Sequence, residues 1–267
     1  MCCENSFSVL KWYKNNRIIS GEEMRAYMES IFYFLYLTAV IAIGVFIIVK
    51  SKDRARVFII YGLLCVLLGL GDAFHLIPRA VGLFSGTLDD PSATLAMWLG
   101  AGKFVTSITM TIFYVLLFFF IQKFLGLKEN RILEGIMCAL FVARVVLCAM
   151  PQNNWFTNDS PLIWGIIRNI PFAIMGAMMV AYAFIYFKDV KRFRLLWLAI
   201  ALSFAFYIPV VLLAGEYPLV GMLMIPKTIC YLWMAIMVLV SVVKNDAALL
   251  KVPAPCEEEK PAKKTEE

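Results

Sequence analysis

Apolar residues fall into seven long runs along the chain, and short polar stretches separate them. The runs cover residues 28–50, 55–79, 92–122, 131–150, 161–187, 194–214 and 218–243. A helix needs about 20 apolar residues to cross the hydrocarbon core of a bilayer. Because a helix satisfies its own backbone groups in lipid, the pattern predicts an all-α polytopic membrane protein, a bundle of seven transmembrane helices.

Residues at the borders of the runs predict where the helices begin and end. Asp90 and Ser160 each precede a proline, an order typical of a cap residue followed by proline at the first helical position. Gly215 is expected to end the sixth helix in a left-handed conformation, and Pro218 to start the seventh.

Composition agrees with this fold class and excludes several kinds of partner. The chain is 62% hydrophobic and its mean hydropathy is +0.80. Its net charge is +6, but the basic residues are scattered between apolar runs, so we expect no nucleic-acid partner. One histidine and the lack of a C-x-x-C pair argue against a metal site, and no cofactor is expected.

The distribution of Lys and Arg predicts the orientation in the membrane. Sixteen basic residues fall on one side of the seven spans and five on the other. The richer side is normally cytoplasmic, so we expect the N-terminus outside and the C-terminus in the cytoplasm.

This orientation divides the chain into three parts. Residues 1–27 form an extracytoplasmic segment leading into the first helix, and residues 28–245 form the transmembrane domain. Residues 246–267 are charged and rich in proline, so we expect a disordered cytoplasmic tail. The N-terminal segment lacks the apolar core of a cleavable signal, so the first helix is expected to direct the multi-pass chain to the cell (plasma) membrane.

Four basic residues lie inside the predicted spans: Lys103, Arg144, Arg168 and Lys227. A charge at the centre of a bilayer costs roughly 3 kcal/mol on insertion scales, so such residues usually have a function. At a rise of about 1.5 Å per residue, all four lie roughly 9–18 Å from the predicted outer ends of their helices. They therefore predict a cationic cluster in the outer half of the bundle.

The stretch "GLGDAFHLIPRAVG" reaches the same level of the membrane. Its Asp72, His75 and Arg79 are spaced i, i+3 and i+7, so they share one helix face. Asn169 and Tyr207 are candidate lining groups. Because the basic residues outnumber the one carboxylate counted at this level, we expect an anionic ligand.

The first hypothesis is that the protein binds an anionic small molecule or a lipid head group, as a transporter or a receptor. Membrane lipids are its other expected partners, and the sequence indicates no oligomeric state. The predicted ligand-binding residues are Asp72, His75, Arg79, Lys103, Arg144, Arg168, Asn169, Tyr207 and Lys227.

Two resemblances add expectations. The segments "GDAFHLIPR", "GKFVTSITMTIFY" and "GMLMIPKTICYLW" resemble stretches of a family of uncharacterised bacterial multi-span membrane proteins. "LLGLGDAFHLIP" followed by "WLGAGKF" is similar to part of the lysoplasmalogenase family, membrane enzymes that hydrolyse vinyl-ether lysolipids. The second resemblance implies that Asp72 is a catalytic acid.

A membrane-embedded lipid hydrolase is therefore the alternative hypothesis. Asp72 and His75 are one turn apart and would act as an acid–base pair, with the basic residues holding the lipid phosphate. Two structural interpretations also stay open. In one, Asp72 and Lys103 form an ion pair that joins the second and third helices. In the other, the Arg79 side chain extends to the outer lipid head groups.

Overall fold

The computed structural model describes residues 21–51, 56–88, 90–157, 160–188, 190–215 and 217–244. These residues form α-helices, three short 3₁₀ helices and connections, without a strand. The α-helices are α1 (Gly21–Ser51), α2 (Arg56–Ser85), α3 (Ala93–Leu125), α4 (Arg131–Ala149), α5 (Leu162–Phe187), α6 (Leu196–Leu213) and α7 (Met224–Val243).

Seven helices of the described part are long and apolar enough to cross a membrane. The prediction of an all-α, seven-helix integral membrane protein is therefore confirmed. The side on which each terminus lies stays a prediction. The predicted tail, 246–267, and residues 1–20 of the N-terminal segment lie outside the described residues.

The helices follow one another around the bundle in chain order. Each helix packs against its neighbours in sequence, and α7 closes the ring by packing against α1 and α2. The third helix, α3, also contacts α5, and its Tyr114, Leu117 and Phe120 are buried. We call the end of the bundle that holds the start of α1 the N-side, and the end that holds the last residue of α7 the C-side.

Small residues let α2 and α3 approach closely near the candidate site. A Cβ added at Gly102 would lie 2.2 Å from the Phe74 carbonyl oxygen, and one at Gly71 would lie 2.1 Å from Thr109 Oγ1. Thr106 Oγ1 donates across the same contact to the Gly71 carbonyl at 3.0 Å. Such contacts between small and hydroxyl residues hold helices together where lipid provides no hydrophobic driving force.

Several helix ends differ from the sequence-based predictions. Helix α2 continues through Pro78 to Ser85, six residues past its predicted end. The prediction of Asp90 as the cap of α3 is wrong, because α3 begins at Ala93 and its N-cap Ser92 accepts a hydrogen bond from the Leu95 amide at 3.3 Å.

The predictions for Ser160 and Gly215 are also wrong. The N-cap of α5 is Pro161, and the Ser160 hydroxyl accepts a hydrogen bond from Arg168 instead. Helix α6 ends at Leu213 and its C-cap is the right-handed Ala214, and the described glycines with positive φ are Gly86 and Gly126. Pro218 does begin a helical segment, but it is the 3₁₀ helix Pro218–Leu223 that leads into α7.

Aromatic rings fill the C-side half of the bundle. The Tyr61 and Phe120 ring centroids are 4.8 Å apart, and the Phe124 ring lies 5.8 Å from Phe187 and 5.3 Å from Phe193. All five side chains are buried. The C-side half is thus a packed core, in contrast to the charged N-side half.

Candidate functional site

Arg144 of α4 lies at the centre of the charged region and is only 1% exposed. Its Nε donates to Thr111 Oγ1 at 2.9 Å, and its Nη1 donates to the Arg168 carbonyl at 2.6 Å and to Asn169 Oδ1 at 2.9 Å. Its Cζ lies 4.1 Å from the centroid of the Phe172 ring. Within the described residues, the hydrogen-bond acceptors of Arg144 are therefore all uncharged.

Asn169 of α5 is held in one orientation by three hydrogen bonds. Its Nδ2 donates to the Gly165 carbonyl at 2.7 Å, and its Oδ1 accepts from Tyr207 at 2.9 Å as well as from Arg144. The amide thus joins α4, α5 and α6. Asn169 and Tyr207 position the guanidinium of Arg144.

Lys227 lies in the first turn of α7 and is 6% exposed. Its Nζ is 4.4 Å from the centroid of the Tyr207 ring and 5.6 Å from that of Tyr231. Its positive charge is attracted by the carboxylate of Asp72 and repelled by the guanidinium of Arg144. Among the described residues, Nζ has no hydrogen-bond acceptor and no carboxylate within 4.0 Å.

Asp72 and His75 lie one turn apart on α2 but have different partners. Asp72 Oδ2 accepts a hydrogen bond from Tyr36 of α1 at 2.8 Å. His75 interacts electrostatically with the surrounding cations, and its buried Nδ1 has no hydrogen-bond partner in the part of the chain that is described. No hydrogen bond joins Asp72 to His75 within the described structure, so the two groups of the predicted acid–base pair do not orient each other directly.

Arg168 of α5 anchors the connection between α4 and α5. Its Nη1 donates to Asn153 Oδ1 and Ser160 Oγ, both at 2.7 Å, and its Cζ lies 4.3 Å from the Trp155 ring centroid. Lys103 of α3 interacts electrostatically with Arg168. At least one donor of Arg168 therefore has a structural role.

Arg79 has a carboxylate partner that the sequence analysis did not include. Its Nε donates to Glu29 Oε1 at 2.8 Å and to the Tyr33 hydroxyl at 2.9 Å, and the Tyr33 hydroxyl also donates to Glu29. Glu29 is 3% exposed and lies on α1. The predicted count of one carboxylate was incomplete, because the described residues of the N-side half hold both Asp72 and Glu29.

The structure brings the predicted basic residues together. Lys227 lies close enough to Arg144 for their like charges to repel each other, and so does Arg144 to Arg168. Lys103 is repelled in the same way by Arg168 and Arg79. We call these five side chains the cationic cluster: Arg79, Lys103, Arg144, Arg168 and Lys227. Their role in binding a ligand stays a prediction.

Sequence reasoning missed several partners of the cluster, and only one of them carries a clear signal. Glu29 is an acidic residue inside the first apolar run, with Arg25 and Tyr33 one turn away on either side. Thr111 and Tyr36 are residue types common in membrane helices, so nothing in the sequence separates them from neighbouring Thr and Tyr residues. Among the described residues, no group of three or more His, Cys, Asp or Glu is placed to hold a metal ion.

We compared the chain with models of known protein families, with curated proteins and with solved structures, and found no significant match. The two family resemblances of the sequence segments therefore stay predictions. The function has to be argued from the geometry of the site.

Proposed function

We propose that this integral membrane protein binds an anionic small molecule or lipid head group in the N-side half of its bundle. The observation that supports this most is the burial of Arg144 and Lys227 and the kind of partners they have. Both are buried, the described partners of Arg144 are uncharged, and Lys227 Nζ has no hydrogen-bond acceptor within the described part of the chain. A buried charge is unfavourable unless a counter-charge contacts it directly, and Asp72 interacts with Lys227 without forming an ion pair, so an anion between Arg144 and Lys227 would stabilise the site.

The hydrogen bonds of Arg144 limit how an anion would be held. Nε and Nη1 already donate to oxygens of the protein, which leaves Nη2 for a ligand. Lys227 acts as a point charge with three donor hydrogens. We therefore expect a carboxylate or phosphate to take one contact from α4 and another from α7, on the side of Lys227 that faces Arg144.

The packing of the C-side half supports the receptor form of this proposal over the transporter form. Transport requires access to each face of the membrane in turn, and polar residues inside the membrane mark such a pathway. Here, buried aromatic side chains occupy the C-side half. With the proposed orientation in the plasma membrane, the ligand would enter and leave from outside the cell.

The lipid hydrolase is the weaker alternative, because no hydrogen bond joins its two catalytic candidates, Asp72 and His75, among the described residues. Asp72 accepts a hydrogen bond from Tyr36 and interacts electrostatically with Lys227. These contacts support a role for Asp72 in orienting the lysine. Turnover of a lysolipid by the wild type, abolished by Asp72→Asn in folded protein, would favour the enzyme.

The proposal is tested by measuring anion affinity in purified protein reconstituted in nanodiscs. Calorimetric titrations would use inorganic phosphate, propyl phosphate and propionate, with the acidic lipid phosphatidylpropanol added to the bilayer in a separate series. Lys227→Met is expected to weaken binding at least tenfold, as is typical when a buried charge is removed from a binding site. Lys244→Met is the matched control, because Lys244 is exposed at the other end of α7.

Unchanged affinity in Lys227→Met would contradict the proposal, as would a wild type that binds none of these probes. Arg144→Gln is the second variant, and it tests the other side of the same contact.

Uptake of radiolabelled phosphate into proteoliposomes separates the receptor form of the proposal from the transporter form. We expect binding without uptake.

A further inference from the structure

The buried Nδ1 of His75 is a second sign of a ligand, separate from the cationic cluster. This nitrogen has no hydrogen-bond partner in the described part of the chain. A buried polar atom without a hydrogen-bond partner is unfavourable, and native structures rarely retain one without a reason.

The surroundings of His75 indicate what kind of group would satisfy Nδ1. The imidazole also interacts with the backbone of Leu99 on α3. A neutral imidazole has one nitrogen that donates and one that accepts, so Nδ1 needs either an acceptor or a donor. A hydroxyl group can act as both, so it would satisfy Nδ1 in either tautomer.

Lys227 connects this nitrogen to the proposed anion site. It interacts electrostatically with His75, and also with Arg144 and Asp72. His75 lies at a close contact between α2 and α3, where a Cβ at Gly102 would lie 2.8 Å from His75 Cα. A ligand whose anionic group contacts Lys227 and Arg144 would direct a neighbouring substituent toward His75.

We infer that the ligand carries a hydroxyl group beside its anionic group, and that this hydroxyl forms a hydrogen bond with His75 Nδ1. The inference rests on the proposed function and names its substrate class: a hydroxy acid, or a phosphate ester with a free hydroxyl. The same chemistry occurs in soluble metabolites and in the head groups of lipids such as phosphatidylglycerol. His75 is a specificity-determining residue in this scheme.

Selectivity follows from the unsatisfied nitrogen. An analogue that lacks the hydroxyl leaves Nδ1 unpaired, while the hydroxylated ligand pairs it. We therefore expect the wild type to bind the hydroxylated member of a matched pair about tenfold more tightly than the member that lacks the hydroxyl.

The experiment compares matched pairs of probes in nanodiscs. The soluble pairs are glycerol 1-phosphate with propyl phosphate, and lactate with propionate. The lipid pair is phosphatidylglycerol with phosphatidylpropanol in the surrounding bilayer. At pH 8 a phosphate monoester has lost its second proton, so the members of a pair differ only in hydroxyl groups: two in each glycerol pair and one in the lactate pair.

Three variants assign the preference to His75. His75→Phe keeps a planar ring without an acceptor, and we expect it to bind both members of a pair with the affinity of the wild type for the analogue that lacks the hydroxyl. His75→Asn retains an acceptor and is expected to keep part of the preference, which also covers the case in which the Phe variant does not fold. Phe74→Leu is the control, because the neighbouring Phe74 side chain is exposed on the outside of the bundle.

The outcomes separate this inference from the proposed function. Equal binding of both members by the wild type, or a preference that survives in His75→Phe, overturns the inference while Lys227→Met still tests the anion site. Failure of all the probes to bind overturns the proposed function and the inference together. A preference confined to the soluble or to the lipid pair supports the inference and identifies the source of the ligand.

Discussion

The basic side chains inside the bundle are stabilised in two different ways. Arg79 is paired with the carboxylate of Glu29, whereas Arg144 is surrounded by neutral oxygens and a ring face. Arg25 also lies near Glu29, but its Nε is 3.8 Å from Glu29 Oε2 and its side chain is more exposed than that of Arg79. The three arginines should therefore differ in how their loss affects stability.

The Glu29–Arg79 pair is predicted to contribute measurably to stability. Removing one partner of a mostly buried ion pair leaves an uncompensated charge, so we expect Glu29→Gln and Arg79→Gln each to destabilise the protein by about 2 kcal/mol. The double variant should be close to either single variant, which corresponds to a coupling energy of about 2 kcal/mol. Thermal unfolding in detergent micelles, arranged as a double-mutant cycle, measures this.

Arg25→Gln is the matched control for that cycle. Because the Arg25–Glu29 distance is longer and Arg25 is partly exposed, its coupling to Glu29 should stay below about 0.5 kcal/mol. Additive effects of Glu29→Gln and Arg79→Gln would show that the pair does not stabilise the fold.

The sequence revealed the charged members of the site but not their partners. Lys103, Arg144 and Lys227 are conspicuous because each is a charge inside an apolar run. Thr111 is not, because hydroxyl side chains in membrane helices commonly bond to their own backbone, as Thr111 Oγ1 also does to the Ser107 carbonyl at 2.6 Å. Which neutral oxygen faces a given cation depends on the rotation and depth of several helices, which the sequence does not specify.

The helices themselves were predictable because the length of an apolar run is a direct requirement of the bilayer. Their ends were less predictable, because caps depend on local competition between neighbouring residues. Ser92 caps α3 although Asp90 and Pro91 precede it, and Ser160 is drawn away from α5 by the Arg168 guanidinium. The connection between α4 and α5 was also missed, because its two 3₁₀ turns are fixed by contacts with α3 and α5.

That connection depends on a glycine of α3. A Cβ at Gly100 would lie 1.4 Å from the Trp155 carbonyl oxygen, so Gly100→Ala must displace the turn that holds Trp155. We expect a loss of about 2 kcal/mol, typical of overpacking, and a fall of about 5 °C in the midpoint of thermal unfolding. The intrinsic preference of a helix for alanine opposes this loss only in part.

Gly135→Ala is the matched control, because a Cβ at Gly135 meets no atom within 4 Å. Alanine should leave the unfolding midpoint unchanged or raise it slightly, since glycine weakens a helix. Equal midpoints in the Gly100 and Gly135 variants would show that the turn moves freely away from α3.

Charge and aromatic packing divide the whole molecule into two halves. The cationic cluster, Asp72 and Glu29 lie in the N-side half, while the rings around Phe124 fill the C-side half. Seven crossings place the two ends of the described chain on opposite sides of a membrane. The side from which a ligand reaches the cluster therefore depends on the orientation of the bundle.

The excess of Lys and Arg on the C-side connections predicts that the N-side faces outward. Reporter fusions in a bacterial host test this: green fluorescent protein fused after Lys244 should fluoresce, and alkaline phosphatase at the same position should be inactive. Fusions after Thr87, in the α2–α3 connection, should give the reverse pattern. If fusions after Lys244 instead showed active phosphatase and no fluorescence, the cluster would lie in the cytoplasmic half, and a ligand from outside the cell would be excluded.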